Sequence, residues 1–324
     1  MQMSINRARV VTLNAALGPL DYRVPESMRV EPGSLVVAPL GPRQLLGVAW
    51  EAARLPTNEV PDSRLRALAA VLDVRPIAAP LRRLCEWTAD YYLAPLASVL
   101  RMVLPSSAAL EGPRQLTEYR PTGLVPDRLT PQREKALAAI EGRQGTIREL
   151  AGHAQVSDGV MRGLVHAGAL ETLAVDADRP LACPDPEHAP PDLNEDQRDA
   201  AASLASAIGR GFDPVLLDGV TGSGKTEVYF EAIAECLRQG RQALVLLPEI
   251  ALTEPFLKRF EARFGCAPVA WHSGLRSSER RRAWRGIASG EAQVTVGARS
   301  ALFLPYPKLG LIVIDEAHEP SFKQ

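Results

Sequence analysis

Residues Gly219-Val220-Thr221-Gly222-Ser223-Gly224-Lys225-Thr226 have the composition and spacing of a loop built to hold a polyphosphate. Glycines let such a loop turn so that successive N–H groups point inward, and a helix starting at its end adds partial positive charge. Lys225 is one of only five lysines among 37 basic residues, and a lysine at this position reaches the β- and γ-phosphates of a nucleotide. The Thr226 hydroxyl is then placed to ligate Mg²⁺. A second group, Asp315-Glu316-Ala317-His318, closes the apolar run Leu311-Ile312-Val313-Ile314. Two adjacent carboxylates at the end of a buried strand are costly unless they face a cation. Taken alone, an Asp-Glu pair serves equally as the cap of a following helix. Beside a phosphate-binding loop it points to ATP hydrolysis, with Asp315 on the Mg²⁺ side and Glu316 orienting or deprotonating the attacking water.

These groups need a scaffold that sets a loop and a strand end side by side. Residues 193–324 alternate apolar runs (215–217, 243–247, 268–271, 294–296, 311–314) with helical stretches, notably 226–237 and 255–264. Continuous β-branched and leucine strands between helices indicate a parallel sheet covered on both faces. Ligands of such sheets bind at the carboxyl ends of the strands, where both motifs fall.

Two further blocks precede this one. Residues 1–105 carry 12 Arg against 9 Asp+Glu, a net of +3, and open with short strand-like runs separated by Gly18-Pro19, Pro32-Gly33 and Gly41-Pro42. A small, mostly-β barrel or sandwich is expected, followed by helical patterning from Ile77 to Leu104. Residues 111–178 read as three short helices and a hairpin. Thr130-Pro131 opens the first helix, the capping-box pattern Thr146 to Glu149 the second, and Ser157 the third. That order suits a winged helix, and a plain three-helix module fits nearly as well. Residues 179–192 form a proline-rich acidic joint, expected to be a stiff, solvated linker.

Composition sets outer bounds. A net charge of −1 excludes a globally basic nucleic-acid coat but leaves room for a local groove. No apolar run reaches the roughly 18 residues of a membrane span, and the first residues lack the pattern of a secretory signal, so a cytoplasmic protein with no membrane partner is expected. Cys85, Cys183, Cys236 and Cys266 lie far apart in sequence with no CxxC pair, which suggests idle or buried thiols.

Together these motifs resemble those of superfamily 2 helicases, with Pro248-Glu249-Ile250-Ala251-Leu252-Thr253 after the second strand and Gly297-Ala298-Arg299-Ser300-Ala301-Leu302-Phe303 after the fourth. Asp315-Glu316-Ala317-His318 is of the DEAH type. The segments 220–229, His272-Ser273-Gly274 and Ser321-Phe322-Lys323-Gln324 are similar to the bacterial replication-restart helicases of the PriA (primosomal protein N′) family. Asp21-Tyr22, Val71-Leu72-Asp73 and Trp87-Thr88-Ala89-Asp90-Tyr91-Tyr92 followed by Pro95 resemble that family's 3′-end-binding domain. The resemblance implies a 3′-end-binding domain (1–105), a winged-helix domain (111–178), a linker (179–192) and the first RecA-like helicase lobe (193–324).

The activity so implied is that of a monomeric, ATP- and Mg²⁺-dependent 3′-to-5′ DNA helicase. It would recognise stalled or abandoned forks and promote primosome assembly in the nucleoid. By the same resemblance, Gln197 in Leu193-Asn194-Glu195-Asp196-Gln197 reads adenine, Asp21, Tyr22 and Gly41 line the 3′-end pocket, and Arg299 contacts DNA. Its partners would be forked and single-stranded DNA, single-stranded-DNA-binding protein and primosome-loading proteins. Family members continue with a second lobe and a two-zinc insertion, so zinc is expected only beyond residue 324. The 324 residues are expected to be a fragment that binds DNA and hydrolyses ATP poorly, because a second lobe supplies an arginine finger. The alternatives are a fork-DNA-binding primosome factor that does not unwind and, more distantly, a nucleotide-gated switch of another kind.

The chain departs from the family pattern at Ala317, which leaves both carboxylates intact, and at Ala298, which removes a hydroxyl. Residues 271–305 carry six arginines (276, 280, 281, 282, 285, 299) against Glu279 and Glu291, a local +4. For Arg280 to Arg285 a phosphate-tracking surface and a solvated helix face are equally good readings. Trp87, Tyr91 and Tyr92 at helical spacing read as core in preference to a base-stacking surface.

Overall fold

The computed structural model describes residues 6–51, 60–104, 115–126, 128–176, 180–220, 222–248 and 254–319. Strand β1 (Arg7–Thr12) is buried along its length from Ala8 onward, so its two faces enter two different cores. It pairs antiparallel with β2 (Leu20–Arg23) and β4 (Arg43–Trp50). β4 in turn pairs with β3 (Leu35–Leu40), and β3 with the short β5 (Ala70–Val71). The segment before β5 reaches back to β2: Arg23 N–H donates to Arg66 O at 2.9 Å and Leu68 N–H to Arg23 O at 3.0 Å. The sheet order β2-β1-β4-β3-β5 thereby curls into a small barrel. Val10, Tyr22, Val36, Ala38 and Leu68 fill its interior.

The outer face of the barrel presents Val11, Leu35, Val48 and Trp50 to helices α1 (Ala79–Tyr91) and α2 (Leu96–Val103). That core does not stop at the domain boundary expected near residue 105. It runs on into Leu244, Leu246, Trp271, Trp284 and Ile287 of the C-terminal block. Trp284 donates its indole N–H to Val103 O at 2.7 Å, fully buried. Residues 1–110 and 181–324 accordingly make one compact unit.

Residues 111–180 form the other unit. It contains α3 (Pro131–Ala139), α4 (Ile147–Ala154) and α5 (Asp158–His166) around Ile140, Leu150, Met161 and Leu164. Thr130 caps α3 through the Arg133 N–H, and Thr146 with Glu149 forms a complete capping box on α4. Ser157 makes no capping hydrogen bond. In place of the expected hairpin after the helices, β7 (Leu170–Asp176) pairs antiparallel with β6 (Gln115–Pro121), which precedes them. Local turn signals could not reveal a partner so distant in sequence.

In the C-terminal block, β8 (Gln242–Leu246), β9 (Val269–Trp271), β10 (Val294–Gly297) and β11 (Leu309–Ile314) form a parallel sheet in the order β11-β8-β10-β9. Helices α6 (Glu195–Ala207), α7 (Lys225–Arg238), α8 (Glu254–Phe264) and α9 (Ser277–Ser289) accompany it. Residues 215–217, expected to be the first strand, form no strand, and Leu216 is 88% exposed. An apolar run becomes a strand only where another backbone accepts its hydrogen bonds. The edge strand β11 likewise exposes Ile312 and Ile314. Residues 249–253 and 321–324, which carry two of the helicase-like motifs, lie outside the described residues, as do 111–114 and 177–179.

The proline-rich joint, expected to be a stiff, solvated linker, is largely exposed and is also strapped to the sheet layer from Leu181 to His188. Leu181 N–H donates to Glu291 Oε1 at 2.6 Å and Asp185 N–H to Phe264 O at 3.0 Å, while Arg263 donates to Pro186 O at 2.9 Å. Proline-rich segments lack backbone donors and are easily read as free linkers, but their carbonyls remain good acceptors. The expected aromatic core on α1 is also overturned: Trp87, Tyr91 and Tyr92 are all more than half exposed, with Trp87 stacked on Tyr91 at 5.0 Å. The side of α1 that is buried instead carries Cys85, Thr88 and Ala89.

The two tryptophans should therefore separate cleanly in urea unfolding. Trp284→Ala empties a buried site and loses its hydrogen bond, at a cost of about 3–5 kcal/mol. Trp87→Ala, at 59% exposure, should change stability by less than about 1 kcal/mol.

Candidate active site

Helix α7 sets the geometry. Its first residue is Lys225, and Gly224 caps it at φ +81°, a left-handed conformation that a side chain would strain. A Cβ on Gly224 would also lie 2.4 Å from Gln197 Nε2 and would push that side chain aside. Gln197 comes from the capping box that starts α6 with Asn194, and its Nε2 donates to Ser223 O at 2.9 Å. The structure thus brings Gln197 to the Gly219–Gly224 loop, across a separation that spacing alone could not bridge. Lys225 Nζ donates to Gly219 O at 2.7 Å and Val220 O at 3.2 Å, folded back on its own loop. Thr221 lies outside the described residues.

One turn along α7, Tyr229 donates its hydroxyl to Asp315 Oδ2 at 2.9 Å, and Thr226 meets the same phenol. Burial, then the Asp315 carboxylate, pushes the Tyr229 phenol well above its usual range, so it remains a donor. Asp315 N–H donates to Leu246 O at 3.0 Å, which fixes this carboxylate at the end of β11 beside β8. Glu316 has φ +51°, one of only three left-handed non-glycine residues among those described. Such backbone strain is held only where surrounding contacts enforce it. Here Glu316 N–H donates to Asp315 Oδ1 at 2.9 Å, and Glu316 O accepts from Glu319 N–H at 2.8 Å. His318 lies 3.4 Å from Glu316 Oε2.

A hydroxyl (Thr226) and a carboxylate (Asp315) therefore meet at Tyr229 by the carboxyl edge of the sheet, with Lys225 and the strained Glu316 next to them in the chain. Hard oxygen donors of this kind suit Mg²⁺, and the glycine-lined turn suits a polyphosphate. Tyr229 is the member that sequence reasoning gave no role. Its position one helical turn after Lys225 and three residues after Thr226 was the available signal.

The positions read as DNA contacts fare unequally. Tyr22 fills the barrel and donates its hydroxyl to Pro39 O at 3.2 Å, and the nearby Gly41 turn accepts from Arg66 at 3.0 Å. Asp21, on the opposite face of β2, is held by Arg9 Nε at 2.9 Å, with both side chains about 95% buried, and Arg7 lies 3.4 Å away. Arg299 is exposed at the start of the short 3₁₀ turn after β10. On α9, Arg280 is occupied with the carbonyls of His272 and Ser273, and Arg281 is buried. Neither fits a solvated phosphate-tracking face.

A nucleotide loop, a DEAH-type strand end and a parallel sheet define this part of the chain as a helicase lobe of the DEAD/DEAH class. Residues 194–323 match the DEAD/DEAH box helicase family, and residues 9–105 match the PriA 3′DNA-binding domain (3′BD). The chain is 32% identical to the replication restart protein PriA of Rickettsia felis over 98% of its own length and 38% of that protein. It is 32% identical to the PriA of Haemophilus influenzae (94% of this chain, 43% of that one) and 27% identical to that of Bacillus subtilis (94% and 48%). The chain belongs to the PriA family of replication restart proteins, and it spans less than half the length of these relatives.

Two substitutions test these contacts. Tyr229→Phe removes the donor to Asp315 and should lower stability by about 1 kcal/mol. In a double-mutant cycle with Asp315→Ala, the two effects should fail to add. Asp21→Ala strands the buried Arg9 charge and should cost about 3–5 kcal/mol in urea unfolding, whereas replacing both partners with apolar residues should recover most of that loss.

Proposed function

We propose that this chain forms the nucleotide-binding and DNA-end-binding part of a replication-restart helicase that moves 3′ to 5′ on forked DNA and promotes primosome assembly. The observation that carries the reading is that Gln197 and Lys225 bond the Gly219–Gly224 loop while Thr226, at the start of the same helix, meets Tyr229 together with Asp315 from the end of β11. Mg²⁺, when bound, neutralises charge on the β- and γ-phosphates. Lys225 would bind those phosphates in place of the Gly219 and Val220 carbonyls, Thr226 and Asp315 would hold the cation, and Tyr229 orients Asp315 through its hydroxyl. Glu316 orients the attacking water and accepts its proton. Gln197, held against Ser223, reads the adenine edge. Because the resemblance assigns the arginine finger to a second lobe, the 324 residues by themselves are proposed to bind nucleotide but turn it over slowly.

The barrel is proposed to receive the 3′ end of a nascent strand near Tyr22 and Gly41, with the Arg9–Asp21 pair supporting β2 from its other face. Arg299 contacts the DNA backbone, and residues 111–178 act as a winged helix on duplex DNA. Single-stranded-DNA-binding protein and primosome-loading proteins are the proposed protein partners. Among the described residues no helix is long and apolar enough to cross a membrane.

Titration of a fluorescent Mg·ATP analogue into the wild-type chain and Lys225→Ala tests the nucleotide site. Affinity should fall at least about tenfold, the loss of one charge-assisted contact. Binding of a forked oligonucleotide should survive that change, weaken steeply with salt and prefer a free 3′-hydroxyl to a 3′-phosphate. Equal nucleotide affinity in the two proteins would overturn the site assignment. Fast DNA-stimulated turnover by the 324 residues, abolished in Lys225→Ala, would overturn the slow-turnover reading. DNA binding without strand separation by the longer protein would favour a non-unwinding fork-binding factor.

A further inference from the structure

We propose that Cys183 and Cys266 form a peroxide-responsive thiol pair that closes into an intramolecular disulfide and fastens the strap to the sheet layer. The two residues are far apart in sequence, and the strap brings them together. The hydrogen bond from Asp185 N–H to Phe264 O at 3.0 Å places Cys183 two residues before one partner and Cys266 two residues after the other. Cys183 Sγ also lies 3.2 Å from Gln293 Oε1. Gln293 leads into β10, whose Thr295 is in register with Val269 of β9; continuing that parallel register back by two residues sets Gln293 beside Ala267, next to Cys266. Cys183 accordingly sits at the corner where Cys266 turns from α8 into β9. Independent of these bonds, Cys183 is among the groups close enough to raise the Cys266 thiol. α8 ends at Phe264 and the chain turns at Gly265 (φ +77°), so Cys266 follows two residues after the carbonyl that holds the strap, and an S–S bond forms where the two Cα atoms come within about 7 Å.

Accessibility sets the order of events. Cys183 is exposed and Cys266 partly so, whereas Cys85 and Cys236 are buried. Burial, then Cys183 and Glu261, holds the Cys266 thiol up, so the more exposed Cys183 meets the oxidant first. The Cys183 thiolate attacks a hydroperoxide ROOH. The O–O bond breaks, a sulfenic acid forms on Cys183, and the departing alkoxide or hydroxide takes up the proton that Cys183 released. The Cys266 thiolate then attacks the Cys183 sulfur, forming the S–S bond as the S–O bond breaks, and the departing hydroxide leaves as water with the proton from Cys266. In sum, two thiols and ROOH give one disulfide, ROH and water, with two electrons passing from sulfur to the peroxide. The strap so fastened runs on into α6, which carries Gln197.

The native 324-residue chain, treated with a slight excess of hydrogen peroxide, alkylated and analysed by intact mass and peptide mapping, tests the pair. The expected product is monomeric, lighter by about 2 Da before alkylation, and yields one linked peptide pair containing Cys183 and Cys266 that dithiothreitol separates. Cys85 and Cys236, whose thiols burial pushes up to about 12, should stay reduced. Protease cleavage within the strap should slow several-fold on oxidation. Cys183→Ser and Cys266→Ser, both at unburied sites, should fold normally by circular dichroism and each abolish the link. Stepwise addition of oxygen to Cys183, or dimers linked between copies through it, with Cys266 still fully alkylatable, would overturn the proposal.

Discussion

Helix α7 is buried over eight of its fourteen residues, from Val228 to Leu237, and that burial leaves it little freedom to shift. Phe230 alone meets Phe256, Phe260 and Phe264 edge-on, and Ile233 and Cys236 are fully buried beneath it. Each large side chain removed from water contributes about 1.5–3 kcal/mol, so sliding α7 by even one turn would forfeit several such terms. With the helix held, its first turn can present Lys225 and Thr226 only at the carboxyl edge of the sheet, and its second turn sets Tyr229 against Asp315. The polar geometry of the proposed nucleotide site is therefore a consequence of apolar packing beneath it.

The same apolar layer joins two regions that belong to different domain families. The outer face of the barrel, α1, α2 and the α9 side of the parallel sheet share one core, in which Trp284 bonds to the last turn of α2. Packing of this density transmits displacement, because close-packed interiors have few voids into which a shift can vanish. The barrel and the sheet are thus parts of one body, and a ligand held by either acts on a common frame. Buried polar groups within that body are satisfied locally. Gln242, almost fully buried, donates to Ile287 O and Ala292 O and accepts from Lys308 N–H, tying the start of β8 to the end of α9 and the start of β11.

Two places show where reading along the chain goes astray, and for opposite reasons. Trp87, Tyr91 and Tyr92 have the spacing and composition of a core stripe, yet α1 turns its smaller residues inward because the barrel face opposite is already filled by Trp50 and Leu35. Large aromatic side chains can be exposed at a functional surface as readily as buried, and periodicity does not distinguish the two. Residues 215–217 have the composition of a buried strand and remain outside the sheet. Strand formation is a property of two backbones, whereas apolar patterning reports on one.

By itself, the amino-acid sequence determined what depends on local spacing: the glycine-rich loop, the helix that begins at Lys225, the Thr146–Glu149 capping box and the alternation that demands a parallel sheet. Turn chemistry and caps act within a few residues, and for that reason they are legible in one dimension. Only the tertiary structure decided that Gln197 reaches Ser223, that Tyr229 holds Asp315, that Asp21 is paired with Arg9, and that a proline-rich joint lies along α8 with Cys183 near Cys266. Those contacts join residues whose separation along the chain carries no signal, and they form where packed helices and paired strands leave polar groups within reach of one another.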